Sequence, residues 1–308
     1  MLCDTKKALA LKTPILFLIF NRPDTTQKVF EQIAKQKPER LYIAADGPRD
    51  LKKGELQLCE AARKIVESIT WPCEVKRLYR ENNLGCKIAV CSAITWFFEN
   101  EEEGIILEDD CLPHPDFFSF CGNALETYRD QYLVMHINGY NPLENQNESR
   151  FSNYISIWGW ATWRRAWNLY QPTAEYYKSF QKQQLIRQIF PKNYYLVEPF
   201  IDDVIKGKYN TWDLQWAIAL HVYFAMSILP SKNLIQNIGF DGNSTHTNEL
   251  DASKLGIAIS EKSHIIKLPK NMEVNVNLDD ELVGYFNGKY SFLKLLIFIK
   301  YRLKSVKP

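Results

Sequence analysis

The chain has 308 residues, 46% of them hydrophobic, and 38 Lys and Arg against 36 Asp and Glu leave a formal charge of +2. That length and apolar content suffice for a full core, which excludes disordered, collagen-like and small disulfide-stapled classes. So balanced a charge lacks the basic excess of a general nucleic-acid binder, and no nucleic-acid partner is expected.

Lys6 and Lys7 precede an apolar run, as in a signal peptide. Lys12 and Pro14 interrupt the run, however, and Asn21-Arg22-Pro23 stands where a cleavage site belongs, so Ile15–Phe20 is expected as a first buried strand. Thr25–Gln36 has helical spacing, with Val29 and Ile33 on one face and Asp24 as the expected N-cap. Arg40–Asp46 predicts a second strand, Gly54–Ile69 a helix, Glu74–Tyr79 a third strand, Cys86–Phe98 a helix and Gly104–Leu107 a fourth strand. This alternation predicts an α/β fold: a mostly parallel central sheet flanked by helices.

After Asp116 a helix to about Tyr128 is expected, then a strand near Tyr132–Ile137 and a polar loop over Asn141–Ser152. Trp160, Trp163 and Trp167 have the spacing of one helix face, which favours core for Trp163 and Trp167. Leu214–Ser231 is uncharged, but Gln215, His221, Ser227 and Pro230 make it a poor membrane span, and a buried helix running into a strand is expected. Asn233–Ile238 predicts a strand and Gly239–Asn248 a polar loop. One domain over 1–285 is expected, with a nucleotide half at 13–130 and an acceptor half at 131–285. Residues 286–308 form a basic apolar segment, which either docks on the core as a helix or, through 289–308, contacts an anionic membrane surface. The seven scattered cysteines form no C-x-x-C pair, and free thiols in a reducing cytoplasm are expected.

Ligands of an open parallel sheet bind beyond the carboxyl ends of its strands. Those ends read Asn21-Arg22, Asp46-Gly47-Pro48-Arg49, Arg80 to Gly85, and Glu108-Asp109-Asp110, all polar or charged. Gly47 is the first glycine in the chain, so the first loop is neither a dinucleotide fingerprint nor a P-loop. A sugar-nucleotide pyrophosphorylase, which also needs glycines there, is disfavoured. Three consecutive carboxylates at a strand end repel one another without a cation, and hard ions such as Mn²⁺ or Mg²⁺ take one or two carboxylates plus phosphate oxygens.

With these features the chain resembles nucleotide-sugar glycosyltransferases of the GT-A fold. It looks most like the inverting group that contains N-acetylglucosaminyltransferase I and bacterial surface-polysaccharide transferases. The resemblance covers about 13–250 and rests on FNRP (20–23), AADGPR (44–49), RENNLG (80–85), ILEDDCLPHPDFF (106–118), SIWGWATWRRAW (156–167), WDLQW (212–216) and NIGFDGNSTH (237–246).

The resemblance implies a hexosyl- or N-acetylhexosaminyltransferase using a nucleoside diphosphate sugar, UDP-linked first, with Mn²⁺ or Mg²⁺ as cofactor. The acceptor it implies is a glycan or lipid-linked glycan on the inner face of the plasma membrane. It places Asp46 at the nucleoside, Asp110 on the metal, and Asp109 at the ribose or a metal-bound water, with Glu108 beside them. Asn21, Arg22, Arg80 and Lys87 become donor contacts, Asp213 the catalytic base, and His246 a metal or diphosphate ligand. Trp158 and Trp160, flanking Gly159, are candidate stacking surfaces for an acceptor sugar. The competing class is a non-catalytic nucleotide- or carbohydrate-binding relative.

Overall fold

The computed structural model describes residues 10–143, 147–171, 182–189, 191–192, 203, 206–208, 211–239, 259, 265–282 and 285. Strands β1 (Ile15–Ile19), β2 (Arg40–Ala45), β3 (Glu74–Tyr79) and β4 (Glu103–Glu108) alternate with helices α1 (Pro23–Gln36), α2 (Glu55–Ile65) and α3 (Cys86–Asn100). β1 lies between β2 and β4, parallel to both, and β3 extends the parallel set beyond β2.

The expected parallel sheet is therefore present, and β1 shows why its sequence is apolar throughout. Ile15, Phe17 and Ile19 enter the core beneath α1 and α4 (Pro115–Thr127), while Leu16 and Leu18 enter a second core with Ile94, Phe97 and Phe98 of α3. A strand buried on both faces carries no polar alternation.

The second half continues the same sheet. The order is β3-β2-β1-β4-β8-β6-β9-β7, with β6 (Val134–Asn138), β7 (Arg150–Ser152), β8 (Trp160–Trp163) and β9 (Met226–Leu229). β8 runs antiparallel to both β4 and β6. α7 (Asp213–Val222; α5 is Arg164–Trp167 and α6 Lys182–Ile189) and β9 form the expected helix-to-strand passage. Among the described residues no helix is long and apolar enough to cross a membrane.

Several expectations are corrected. Trp160 and Trp163 lie in β8, not on a helix face. Three residues apart in a strand, they point to opposite cores, Trp160 with α3 and Trp163 with α4. Trp160 is 0% exposed and stacks on Trp212 at 5.9 Å, so it cannot meet an acceptor sugar. Asp24 does not cap α1: Arg22 is the N-cap and Pro23 starts the helix, as suits a residue with no N–H to satisfy. The loop read over Asn141–Ser152 contains the short edge strand β7, which is too short to show a periodicity.

The acidic run at 101–103 has a structural account. Glu101 pairs with Arg40 of β2, Glu102 with Arg164 of α5, and Glu103 with Arg129 just beyond α4. The run fastens three elements at the amino ends of the strands, away from the loops that carry the chemistry.

A two-stranded ribbon matters more: the strand expected at Asn233–Ile238 is present, and its partner is unexpected. β5 (Cys111–Pro113), immediately after the acidic triplet, pairs antiparallel with β10 (Ile235–Asn237). The Ile238 N–H then donates to the Asp110 carbonyl at 2.8 Å. The ribbon brings Ile238, 128 positions downstream of Asp110, onto the triplet.

Candidate functional site

The carboxyl ends of β1, β2, β3 and β4 converge as expected, and three polar groupings occupy them. The first is built on Glu55, a residue with no local pattern to mark it. Glu55 is 1% exposed at the start of α2. It accepts from Asn21 Nδ2 at 2.8 Å, the Arg49 N–H at 2.8 Å and Arg49 Nε at 2.9 Å. Asn21 and Arg49 follow β1 and β2, so one buried carboxylate ties these two loops together.

The Arg49 hydrogen bonds hold the Glu55 carboxyl down, from the ordinary 4.5 to about 2. A depressed carboxyl stabilises the fold above its unfolded pKa and loses that contribution as pH falls through the folded value. Glu55→Gln is therefore expected to lose about 1–2 kcal/mol at pH 7, a modest figure because Arg49 is solvent-facing. Thermal melts from pH 7 to 2 check this: the wild-type advantage should shrink between about pH 4.5 and 2. A variant as stable as wild type at pH 7 contradicts the role.

The second grouping is built on Asp46. Its carboxylate accepts from the Gly47 N–H at 2.9 Å, Asn83 Nδ2 at 3.0 Å, the Leu84 N–H at 3.0 Å and the Gly85 N–H at 3.1 Å. That nearly fills the acceptor capacity of a carboxylate, so Asp46 holds the β3–α3 loop against the β2–α2 loop. Gly47 is required at this contact, because a Cβ there would meet the Glu81 and Asn82 backbone. Arg80, at the end of β3, donates to Ser92 Oγ of α3 at 2.7 Å. Lys87 is half-buried in the first turn of α3, where its charge acts on the Cys91 thiol.

The third grouping is the acidic one. Asp109 is 8% exposed and accepts the Phe20 N–H at 2.9 Å. Desolvation and the Asp110 charge push its carboxyl up to about 7. Glu108 is raised well above the carboxylate range, by desolvation first and then by Asp110, Asp109 and Asp213. Arg22 opposes both shifts, and its Nη1 lies 2.8 Å from Asp110 Oδ2.

Asp213, about a hundred residues away in sequence, thus lies near enough to Glu108 for its charge to act there. It is the first residue of α7, whose N-cap is Trp212. Its Oδ1 accepts from the Leu214 N–H at 2.8 Å and from Thr211 Oγ1. Among the described residues no hydrogen bond engages Oδ2. Trp212 and Trp216 anchor this turn against Trp160 and Trp167. Beside it, Cys91 Sγ lies 2.9 Å from Tyr170 Oη, and Tyr170 stacks on Trp167 at 4.5 Å.

Three further expectations remain. Trp158 is half-buried with its ring edge-on to Tyr140 at 4.8 Å, at the turn made by Gly159 (φ +56°). His246 and the segment 286–308 lie outside the described residues.

Among the described residues no three His, Cys, Asp or Glu side chains converge as a preformed metal cage. The donors present are hard oxygens, which suit an ion bringing phosphate oxygens of its own. Gly239 packs directly against the Arg22–Asp110 pair. A Cβ built at Gly239 would lie 2.6 Å from Arg22 Nη1, 2.8 Å from Asp110 Cβ, and closer still to Asp110 Oδ2. If Asp110 holds a divalent ion with a nucleoside diphosphate, Gly239→Ala is expected to displace this pair and weaken Mn²⁺-dependent UDP binding by about tenfold or more, near 1.4 kcal/mol. Calorimetric titration checks it, and unchanged affinity in the folded variant contradicts the placement.

No family model matches the chain, and no curated protein matches it. Among solved structures, a UDP-glucose pyrophosphorylase complexed with UDP-glucose is 9% identical, with 74% of this chain and 93% of that chain covered and a TM-score of 0.38. A 4-diphosphocytidyl-2C-methyl-D-erythritol synthase from Anaerococcus prevotii is 8% identical over 55% of this chain and 78% of that one, TM-score 0.35. An inositol-1-phosphate CTP transferase from T. maritima is 11% identical over 52% and 74%, TM-score 0.31. At such identities and scores, nothing about ligand or reaction passes from these proteins to this chain.

Proposed function

We propose that the chain is an inverting, metal-dependent glycosyltransferase that takes a sugar from a nucleoside diphosphate sugar, UDP-linked first. The acceptor in this reading is a glycan or lipid-linked glycan of a bacterial surface polysaccharide, met at the inner membrane face, with 289–308 as the basic membrane contact. The observation that carries the proposal is Asp213, held at the start of α7 with Oδ1 engaged by the Leu214 N–H and Thr211, and near enough to Glu108 for its charge to act there.

A divalent ion bound with the donor supplies neutralisation of the leaving diphosphate. Asp110, aided by Asp109, would hold that ion. Arg22, Arg80 and Lys87 offer cationic contacts to the diphosphate, and Asp46 shapes the loop on the nucleoside side. Trp158 is the remaining candidate surface for an acceptor sugar. The acceptor hydroxyl oxygen bonds to the anomeric carbon as the carbon–oxygen bond to the diphosphate breaks. Its proton passes to Asp213 Oδ2, and the nucleoside diphosphate leaves with the bonding pair. A single displacement inverts the anomeric configuration.

A nucleotidyltransferase reading is disfavoured by the first loop. It holds Phe20, Asn21 and Arg22 without a glycine, and the Phe20 N–H is already given to Asp109. Turnover of a panel of nucleoside diphosphate sugars, with product configuration read by NMR, tests the proposal. Inverted product from one donor is expected. Retained configuration overturns the single displacement, and UDP binding without turnover of any donor favours the non-catalytic relative.

A further inference from the structure

The Asp110 oxygen that a metal ion needs is already taken. Arg22 Nη1 sits on Asp110 Oδ2 at 2.8 Å, and Gly239 closes over the pair so tightly that even a methyl group finds no room. That spot admits one cationic partner at a time.

The pair is built to separate. The side chains of Arg22 and Asp110 are 18% and 19% exposed, so solvent reaches both and neither charge is stranded when they part. The Arg22 main chain is held independently of its side chain. Its carbonyl accepts from the Thr26 N–H at 2.9 Å and Thr26 Oγ1 at 2.7 Å. A guanidinium on so fixed a base can change partners without disturbing α1, and its planar fork suits phosphate as well as carboxylate. Glu108 and Asp109 flank Asp110, and Arg22 is the charge that opposes the rise of both, so its departure with nothing in its place removes that cation from the acidic site.

We propose that Arg22 is the resident counter-ion of the acidic site. It blocks Asp110 against free divalent ions and yields that oxygen only when cation and diphosphate arrive together, then transfers to the diphosphate. This rests on the metal-dependent donor site proposed above and adds to it an order of binding. Divalent ions alone bind weakly, and nucleotide opens the site to them.

The consequence has opposite signs for two ligands, which a merely structural ion pair would not produce. Binding of Mn²⁺ is to be followed by electron paramagnetic resonance in the full chain, for wild type, Arg22→Gln and Arg22→Met, with and without UDP. Arg22→Met keeps the aliphatic stem, and thermal melts show which variants are folded. Without UDP, both substitutions are expected to raise Mn²⁺ affinity by about tenfold or more, since a competing charge has gone. With saturating Mn²⁺, both are expected to weaken UDP binding. Unchanged or weaker Mn²⁺ binding in folded variants overturns the counter-ion role, even where Asp110→Ala still loses Mn²⁺ and the metal site itself stands. No Mn²⁺ binding by wild type with UDP present overturns the metal-dependent site and this inference with it.

Discussion

Asp213→Asn is expected to fold, bind UDP with wild-type affinity and transfer sugar roughly 10²–10⁴-fold more slowly. The expectation follows from how Asp213 is held. Oδ1 is committed to the Leu214 N–H and Thr211 Oγ1, and the asparagine carbonyl can accept in its place. Trp212, not Asp213, is the N-cap, so the start of α7 does not depend on the carboxylate. The Trp160–Trp212–Trp216 packing beneath is untouched by the exchange. What the variant loses is an oxygen able to take a proton. Removing that negative charge also relieves Glu108, so stability should hold or rise slightly. Thermal melts, UDP titration and single-turnover transfer check the three parts. Near-normal transfer in the folded variant would place the base elsewhere. Asp203, paired with Lys208 at 2.6 Å, would be the next acid to test.

The second large effect is expected at Asp110. Asp110→Ala should abolish Mn²⁺-dependent UDP binding, a loss on the order of 10²-fold or more, because the diphosphate charge needs a cation held there. Stability should move the other way. Asp110 is the first charge that raises both Glu108 and Asp109, so its removal relieves two buried carboxylates. Arg22 keeps those same two acids as compensation. A melting temperature equal to or above wild type, together with lost binding, is the expected pattern. It is how a site that gives up stability for function behaves. A variant that melts well below wild type would show Asp110 to be structural.

The parts of the molecule legible in the sequence are those where one local rule decides. Ile15–Ile19 is apolar at every position because both faces are covered, and Cys86–Asn100 keeps its helical spacing because one stripe meets the core. Glu108-Asp109-Asp110 stood out because three acids at the end of an apolar strand are costly without a purpose. Long-range pairing hid the rest. The three tryptophans of 160–167 fit a helix face by spacing, but β4 and β6 on either side make Trp160–Trp163 a strand. Nothing local marks Glu55 as buried, since its environment is made by Asn21 and Arg49 from other loops. The strand at Asn233–Ile238 is legible, but Gly239 joins the site only because β10 pairs with β5, and three-residue β5 leaves no periodicity to read. The Arg22–Asp110 contact likewise joins residues 88 positions apart.

If the acidic triplet binds a nucleoside diphosphate through a divalent ion, nucleotide affinity depends on that ion. Calorimetric titration of the full-length chain with UDP, in excess Mn²⁺ and again in chelator, tests it most directly. Binding with Mn²⁺ and a loss of affinity on the order of 10²-fold without it are expected. Equal affinity in both conditions would contradict this dependence and leave a nucleotide-binding protein whose carboxylates serve some other end.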